Sequence, residues 1–221
     1  MAWIRNSEAE IKTRHFMTRP LFEEPSSECE REDPWSGPKG FMFGGWSLPS
    51  GTMWEMAEQY FEAANLLVGN IIRTDVEDYK LSTPVIYLYR HWLELAIKSV
   101  VGPVRGHDLA KLSSGMVRLL ASRGVDVPVW VTARFKEMAR IDPSSTAFRY
   151  AENGVGGEIY VSLPHLRGAM VFLHAALASV VTRGKFPPHS FFVQIADDPT
   201  SESVRLHLFE WFSSPASHCE K

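Results

Sequence analysis

Residues 83–124, TPVIYLYRHWLELAIKSVVGPVRGHDLAKLSSGMVRLLASRG, decide the fold class of this chain. Apolar residues recur at spacings of three and four on both sides of a short connector, Gly102–His107. This periodicity is typical of amphipathic helices, because about 3.6 residues complete one helical turn. Pro84 suits a first turn, Asp108 is a preferred N-cap and Gly124 is a preferred helix end. The segment therefore predicts two helices.

The same periodicity predicts three further helices, at about Met53–Ile72, Val129–Arg140 and Leu163–Arg183. Before the last of them, Asn153–Gly157 lies between two short stretches rich in aromatic and β-branched residues. A glycine-rich turn between such stretches is typical of a β-hairpin. The expected fold class is mainly α, with one small hairpin.

Length and composition favour one domain with extensions, because 221 residues that are 45% hydrophobic can bury one sizeable core. Residues 1–50 contain five prolines and predict an irregular N-terminal extension packed on the core. Residues 51–185 form the predicted helical domain. Residues 186–221 form a C-terminal extension, for which strands and a terminal helix both remain open.

The chain shows no pattern of export or membrane insertion. No apolar run of signal-peptide length occurs at the N-terminus, and Cys29 and Cys219 are far apart in the sequence. The longest apolar stretch, Ala169–Val181, is too short to span a bilayer and contains His174. We therefore expect a cytoplasmic protein with reduced thiols.

Charge is unevenly distributed along the chain. The net charge is −3, yet residues 83–150 carry 10 Lys or Arg and 5 Asp or Glu, a local excess of +5. Such a region could bind an anionic ligand such as a nucleotide or RNA. The alternative is that the acidic N-terminal region packs against it.

The second predicted helix is apolar on most sides and has one polar stripe. Arg90, Glu94 and Lys98 are four residues apart, so they stack along one face, and Tyr87 and His91 lie beside them. Unpaired charges are costly to bury. We expect the stripe to face solvent, a partner or a cleft.

Three segments, taken in order, resemble a pattern of HEPN-like bacterial helical-bundle proteins. They are Leu88–Lys98 (LYRHWLELAIK), Gly106–Lys111 (GHDLAK) and Ile141–Tyr150 (IDPSSTAFRY). The resemblance covers about residues 84–183 and implies an up-and-down helical bundle that forms homodimers. Many members of this family are metal-independent ribonucleases of toxin–antitoxin or phage-defence systems. Others are non-catalytic modules that bind a nucleotide, RNA or a cognate protein.

The nuclease members carry an Arg and a His that are separated by four to six residues, near the start of the last bundle helix. Arg167 and His174 match this spacing and position. The resemblance implies that His174 is a general acid or base and that Arg167 stabilises charge on the phosphate. Gly168 departs from the polar residue expected there. Pairs of this spacing also arise by chance, and His174 lies among apolar residues typical of a core.

A second candidate site surrounds the polar stripe. Its expected catalytic residues are Arg90, His91 and His107, and its expected ligand-binding residues are Glu94, Lys98, Lys111, Arg149 and Tyr150. Arginine could bind a phosphate in bidentate fashion, beside a histidine that titrates near neutral pH. The structural alternative is that Glu94 neutralises Arg90 and Lys98, while His107 caps the connector.

The sequence contains no metal-ligand or cofactor motif, so we expect neither a metal nor a cofactor. Two hypotheses follow. The first is an HEPN-like, metal-independent ribonuclease of a bacterial defence or toxin system. The second is a non-catalytic HEPN-like module that binds a nucleotide, RNA or a protein partner through the basic region.

Overall fold

A computed structural model of the chain describes residues 52–74, 78–147, 159–188 and 191–192. All of them belong to one of the two units into which the chain divides, Gly51–Lys221. Five α-helices have both ends inside these ranges, which contain no strand. They are α1 (Met53–Arg73), α2 (Ser82–Val101), α3 (Leu109–Ser122), α4 (Val129–Ile141) and α5 (Leu163–Arg183). The described part is mainly α-helical, as predicted.

Local side chains and glycines set the ends of these helices. The Thr52 hydroxyl accepts the Glu55 N–H before α1, and the Asp108 carboxylate accepts the Lys111 N–H before α3. Such N-caps satisfy donors that a helix leaves unpaired. Gly184 ends α5 with a φ of +70°, a left-handed conformation that glycine adopts without strain. A short 3-10 helix, Asp78–Leu81, precedes α2.

Helix α2 lies at the centre of the described helices and packs against α1, α3 and α5. Its Trp92 and Leu93 are fully buried, together with Phe61 of α1 and Leu173 of α5. Burying such side chains stabilises the fold by about 1.5 to 3 kcal/mol each, before the entropic cost of folding. A helix that is apolar on nearly all sides is suited to this central position.

The core continues beyond residue 185, where the sequence analysis places the start of the C-terminal extension. Phe191 and Phe192 are both buried and belong to the same apolar cluster as the five helices. Phe186 packs against that cluster from a half-buried position. These aromatic residues therefore contribute to the helical core.

Helix α5 is long and apolar enough to cross a membrane, judged by length and composition alone. The sequence argument considered only the shorter stretch 169–181 and so underestimated the length. In the structure, 56% of the apolar window is buried inside the protein. Core helices of globular proteins meet the same criterion, so the finding is weak evidence for a membrane span.

Several predicted features lie outside the described residues. They are the N-terminal extension, the turn and first strand of the β-hairpin, and nearly all of the C-terminal extension. Arg149 and Tyr150 of the second candidate site also lie outside them.

We expect Leu93→Ala to lower the free energy of unfolding by about 2 to 5 kcal/mol, because it leaves a cavity in the core. Leu66→Ala is the matched control, since Leu66 on α1 is 68% exposed and exposed substitutions usually stay within about 0.5 kcal/mol. Urea unfolding of both variants measures the difference. Equal effects would contradict the central position of α2.

Candidate functional site

Arg90 on α2 is fully buried and joins three separate segments of the chain. Its Nε donates to the carbonyl of Asp142 at 2.9 Å, and its Nη1 donates to Glu94 Oε2 at 2.8 Å. Its Nη2 donates to the carbonyl of His107 at 2.5 Å. A guanidinium presents five N–H donors in a planar fork. One side chain therefore fixes both the connector before α3 and the turn after α4 against α2.

Glu94 is the buried carboxylate of the same cluster. Its Oε1 accepts from Lys98 Nζ at 2.8 Å and lies 2.7 Å from His107 Nδ1. Burial alone would raise the pKa of Glu94, but hydrogen bonds from Lys98, His107 and Arg90 outweigh burial and lower the pKa from 4.5 to about 2. Glu94 therefore stays ionised, and its negative charge lies beside both cations.

Asp142 supplies the second buried carboxylate. Its Oδ2 lies 3.8 Å from Arg90 Nε, and its Oδ1 accepts the N–H groups of Thr146 and Ala147 at 3.1 and 3.3 Å. The adjacent Pro143 carbonyl accepts the Leu109 N–H at 3.2 Å, which ties the start of α3 to this turn. Below, "the Arg90 network" means Arg90, Glu94, Lys98, His107 and Asp142. With neutral His107, its two cations balance its two carboxylates.

The expectation that the polar stripe of α2 faces solvent is wrong for its three charged residues. Arg90, Glu94 and Lys98 are all buried. Their burial is tolerated because every charge has an opposite charge or a carbonyl beside it. The contacts between Glu94 and its two cations match the structural alternative. The contribution of Asp142 was missed, although the Ile141–Tyr150 segment was one of the three that carried the resemblance.

His107 is the most exposed member of the network, with 51% of its side chain accessible. Its Nδ1 is engaged by Glu94, so Nε2 is the ring nitrogen left for other contacts. Lys111, expected to bind a ligand, is 85% exposed and forms a surface ion pair with Asp108 at 3.1 Å. Exposed pairs of this kind contribute little to stability.

His91, next to Arg90 on α2, packs against aromatic rings. Its ring meets the Tyr60 ring edge-on at 4.4 Å between centroids and stacks on Tyr87 at 5.7 Å. Successive helical residues point about 100° apart. Arg90 and His91 therefore face different neighbours.

Arg167 and His174 both face α1, but they contact different parts of it. His174 is buried, its Nε2 lies 2.5 Å from Glu58 Oε1, and its ring stacks on Phe61 at 4.0 Å. The guanidinium of Arg167 lies beside Gly69, where a Cβ would stand 3.8 Å from its Cζ. Seven residues span about 10 Å along a helix. His174 is thus a core histidine with a carboxylate partner.

A groove between α3 and α4 brings together basic residues that the sequence analysis did not single out. We call it the α3–α4 groove. It has a volume of about 510 Å³ and is lined by Ala110, Ser113, Ser114, Val117, Arg118, Thr132, Phe135, Lys136 and Ala139. The three hydroxyls donate to carbonyls of their own helices. Arg118 and Lys136 are exposed and supply the positive charge. The local excess of +5 was the signal for them.

Within the described ranges, no group of three or more His, Cys, Asp and Glu side chains is placed to hold a metal ion. Comparisons with known protein families, curated proteins and solved structures give no match to this chain. Function is therefore inferred from the residues of this chain.

We expect Glu94→Gln to lower the free energy of unfolding at pH 7 by about 3 to 5 kcal/mol, because it leaves buried cations without their counter-charge. Glu137→Gln is the control, since its carboxylate forms a surface pair with Arg134 and such pairs contribute about 0 to 1 kcal/mol. Denaturant unfolding measures both. A loss of the same size in the two variants would contradict the network.

The lowered pKa of Glu94 also predicts a pH dependence. Its stabilising effect is complete above pH 4.5 and is lost as the pH falls towards about 2, since protonation then removes the negative charge. Across this pH window, the free energy of unfolding should fall more steeply for the wild type than for Glu94→Gln. The same pH dependence in both proteins would show that Glu94 does not titrate as described.

Proposed function

We propose that this chain is an HEPN-like module that binds RNA through the α3–α4 groove. One observation carries the proposal. Arg118 and Lys136 stand on the two helices that form the groove, and neither pairs with a carboxylate in the described part of the chain. Nearby, the exposed Lys111 pairs with Asp108, and the half-buried Arg134 pairs with Glu137. Unpaired cations on both sides of a groove suit a phosphate backbone.

The distribution of charge supports an anionic ligand. The chain as a whole is acidic, whereas residues 83–150 carry the excess of +5. Both helices of the groove belong to this region. Lys and Arg side chains that neutralise phosphates release condensed counterions, which favours binding at low salt.

The internal contacts of the candidate catalytic residues favour binding over cleavage. Arg90 is fully buried, and His174 is held by Glu58 and stacked on Phe61. A general acid or base needs to reach the proton that it transfers. These two side chains instead have structural partners on neighbouring segments.

We expect the double variant Arg118→Ala/Lys136→Ala to weaken binding of single-stranded RNA and to reduce its salt dependence. Loss of two phosphate contacts reduces the slope of log K against log salt by about 1.4, at about 0.7 per contact. Arg73→Ala is the control, because Arg73 is exposed at the end of α1. Fluorescence anisotropy over a salt series gives both slopes. An unchanged slope in the double variant would contradict phosphate binding in the groove.

A metal-independent ribonuclease of a defence or toxin system is the second candidate function. The half-exposed His107 favours it, because Glu94 engages Nδ1 at 2.7 Å. A neutral imidazole that donates at Nδ1 keeps its lone pair on Nε2, as a general base requires. The proton would come from a ribose hydroxyl of the bound RNA.

The two candidates are separated by an incubation of the purified protein with RNA in excess EDTA. Our proposal predicts RNA that is bound but intact. Cleavage that His107→Ala abolishes while binding is retained would favour the ribonuclease. Cleavage lost in His174→Ala, with His107→Ala still active, would return the Arg167–His174 pair to the catalytic role.

The proposal also includes a homodimer, a cognate protein partner and a cytoplasmic location, all of which rest on the resemblance or on composition. Light scattering of the purified chain tests the dimer. A monomeric mass at working concentration would count against it.

A further inference from the structure

A second concave site lies between α4 and α5, on the other side of α4 from the α3–α4 groove. This α4–α5 pocket has a volume of about 470 Å³, within the range of small-molecule sites. Trp130, Pro164 and Phe172 line it with apolar surface. Gly168 and Ala169 of α5 add only small side chains or none, which leaves room beside the rings.

Packing holds the rings of the pocket in place. Phe192 meets Trp130 edge-to-face at 5.3 Å and contacts Phe172 at 5.6 Å between centroids. Phe192 itself is buried in the core. Aromatic walls that are fixed before binding lose little conformational freedom when a planar ligand stacks on them.

Basic side chains complete the lining of the pocket. Arg134 Nη2 donates a hydrogen bond to Glu137 Oε1 at 2.7 Å. The other N–H groups of the guanidinium remain available to a ligand. His165 on the first turns of α5 is exposed and lines the same pocket. The pocket therefore offers stacking surface together with hydrogen-bonding groups, the combination that binds a nucleobase.

Helix α4 separates the two sites. Trp130 and Arg134 line the pocket, whereas Thr132 and Lys136 line the α3–α4 groove. Residues two apart on a helix face nearly opposite directions, and a helix with its side chains is about 10 to 12 Å wide. Ala133 lies between the two sets and presents only a methyl group. A flexible chain could cross α4 there.

We propose that the α4–α5 pocket takes an unpaired base of single-stranded RNA whose phosphates lie in the α3–α4 groove. This inference rests on the proposed function and names the substrate class of the module. A duplex keeps its bases stacked and paired, so it cannot place one in the pocket. The groove alone would bind single and double strands without this distinction.

The test compares Trp130→Ala, Trp130→Phe and Arg73→Ala of the full chain in binding to one fluorescently labelled RNA. We expect Trp130→Ala to weaken binding of the single strand by about 5- to 150-fold, the usual effect of losing one base–aromatic stack. Trp130→Phe should keep most of the affinity, because it keeps a ring. The salt slope should not change, since no phosphate contact is lost.

The RNA itself supplies a second measurement that does not depend on the folding of a variant. The wild type should bind the single strand more tightly than the matching duplex. Replacing one nucleotide of the single strand by an abasic nucleotide should weaken binding about as much as Trp130→Ala does. Equal affinity for single strand, duplex and abasic strand would contradict the binding of a base in the pocket. If Arg118→Ala/Lys136→Ala still weakens binding, the proposed function stands without this inference. If the wild type binds none of these RNAs, the proposed function and this inference are both wrong.

Discussion

The buried guanidinium of Arg90 is the interaction on which the rest of the described structure depends. Its hydrogen bonds reach Glu94 on the same helix, the carbonyl of His107 before α3 and the carbonyl of Asp142 after α4. A charge in this position is tolerated only while its partners are present. The positions of the α2–α3 connector and the turn after α4 therefore follow from one side chain. The network needs no ligand to explain it, because its two cations and two carboxylates balance when His107 is neutral.

This arrangement separates the buried charges of the Arg90 network from the exposed charges of the proposed RNA site. The cations of α2 are buried and paired with carboxylates. In contrast, Arg118 and Lys136 are exposed and have no carboxylate partners among the described residues. The same helix, α4, carries Lys136 toward the groove and Trp130 toward the apolar pocket. A single strand of RNA has both charged phosphates and unpaired bases, so it suits the pair of sites. Because the Arg90 network sets the turn after α4, it also stabilises the scaffold on which these sites lie.

Much of the helical structure could be predicted from local sequence. Periodicity predicted α5 with the observed bounds, and Asp108 caps α3 as expected. The site could not be predicted in the same way, because its contacts are long-range. Arg90 and the Asp142 carbonyl are 52 residues apart, and periodicity says nothing about which turn meets which helix. For this reason the sequence left solvent, a partner and a cleft all open for the stripe of α2. Arg118 and Lys136 were visible only as part of a charge excess, since no short motif marks them.

The central claim is that the Arg90 network is a structural unit, and a double-mutant cycle between Arg90 and Glu94 tests it most directly. Arg90→Met, Glu94→Leu and the double variant would be unfolded in denaturant at pH 7. Each single change leaves the network with one unbalanced buried charge, whereas the double change leaves one cation, Lys98, and one carboxylate, Asp142. The account predicts that the double variant is less destabilised than the sum of the single variants, by about 1 to 3 kcal/mol. Effects that add to within about 0.5 kcal/mol would contradict it.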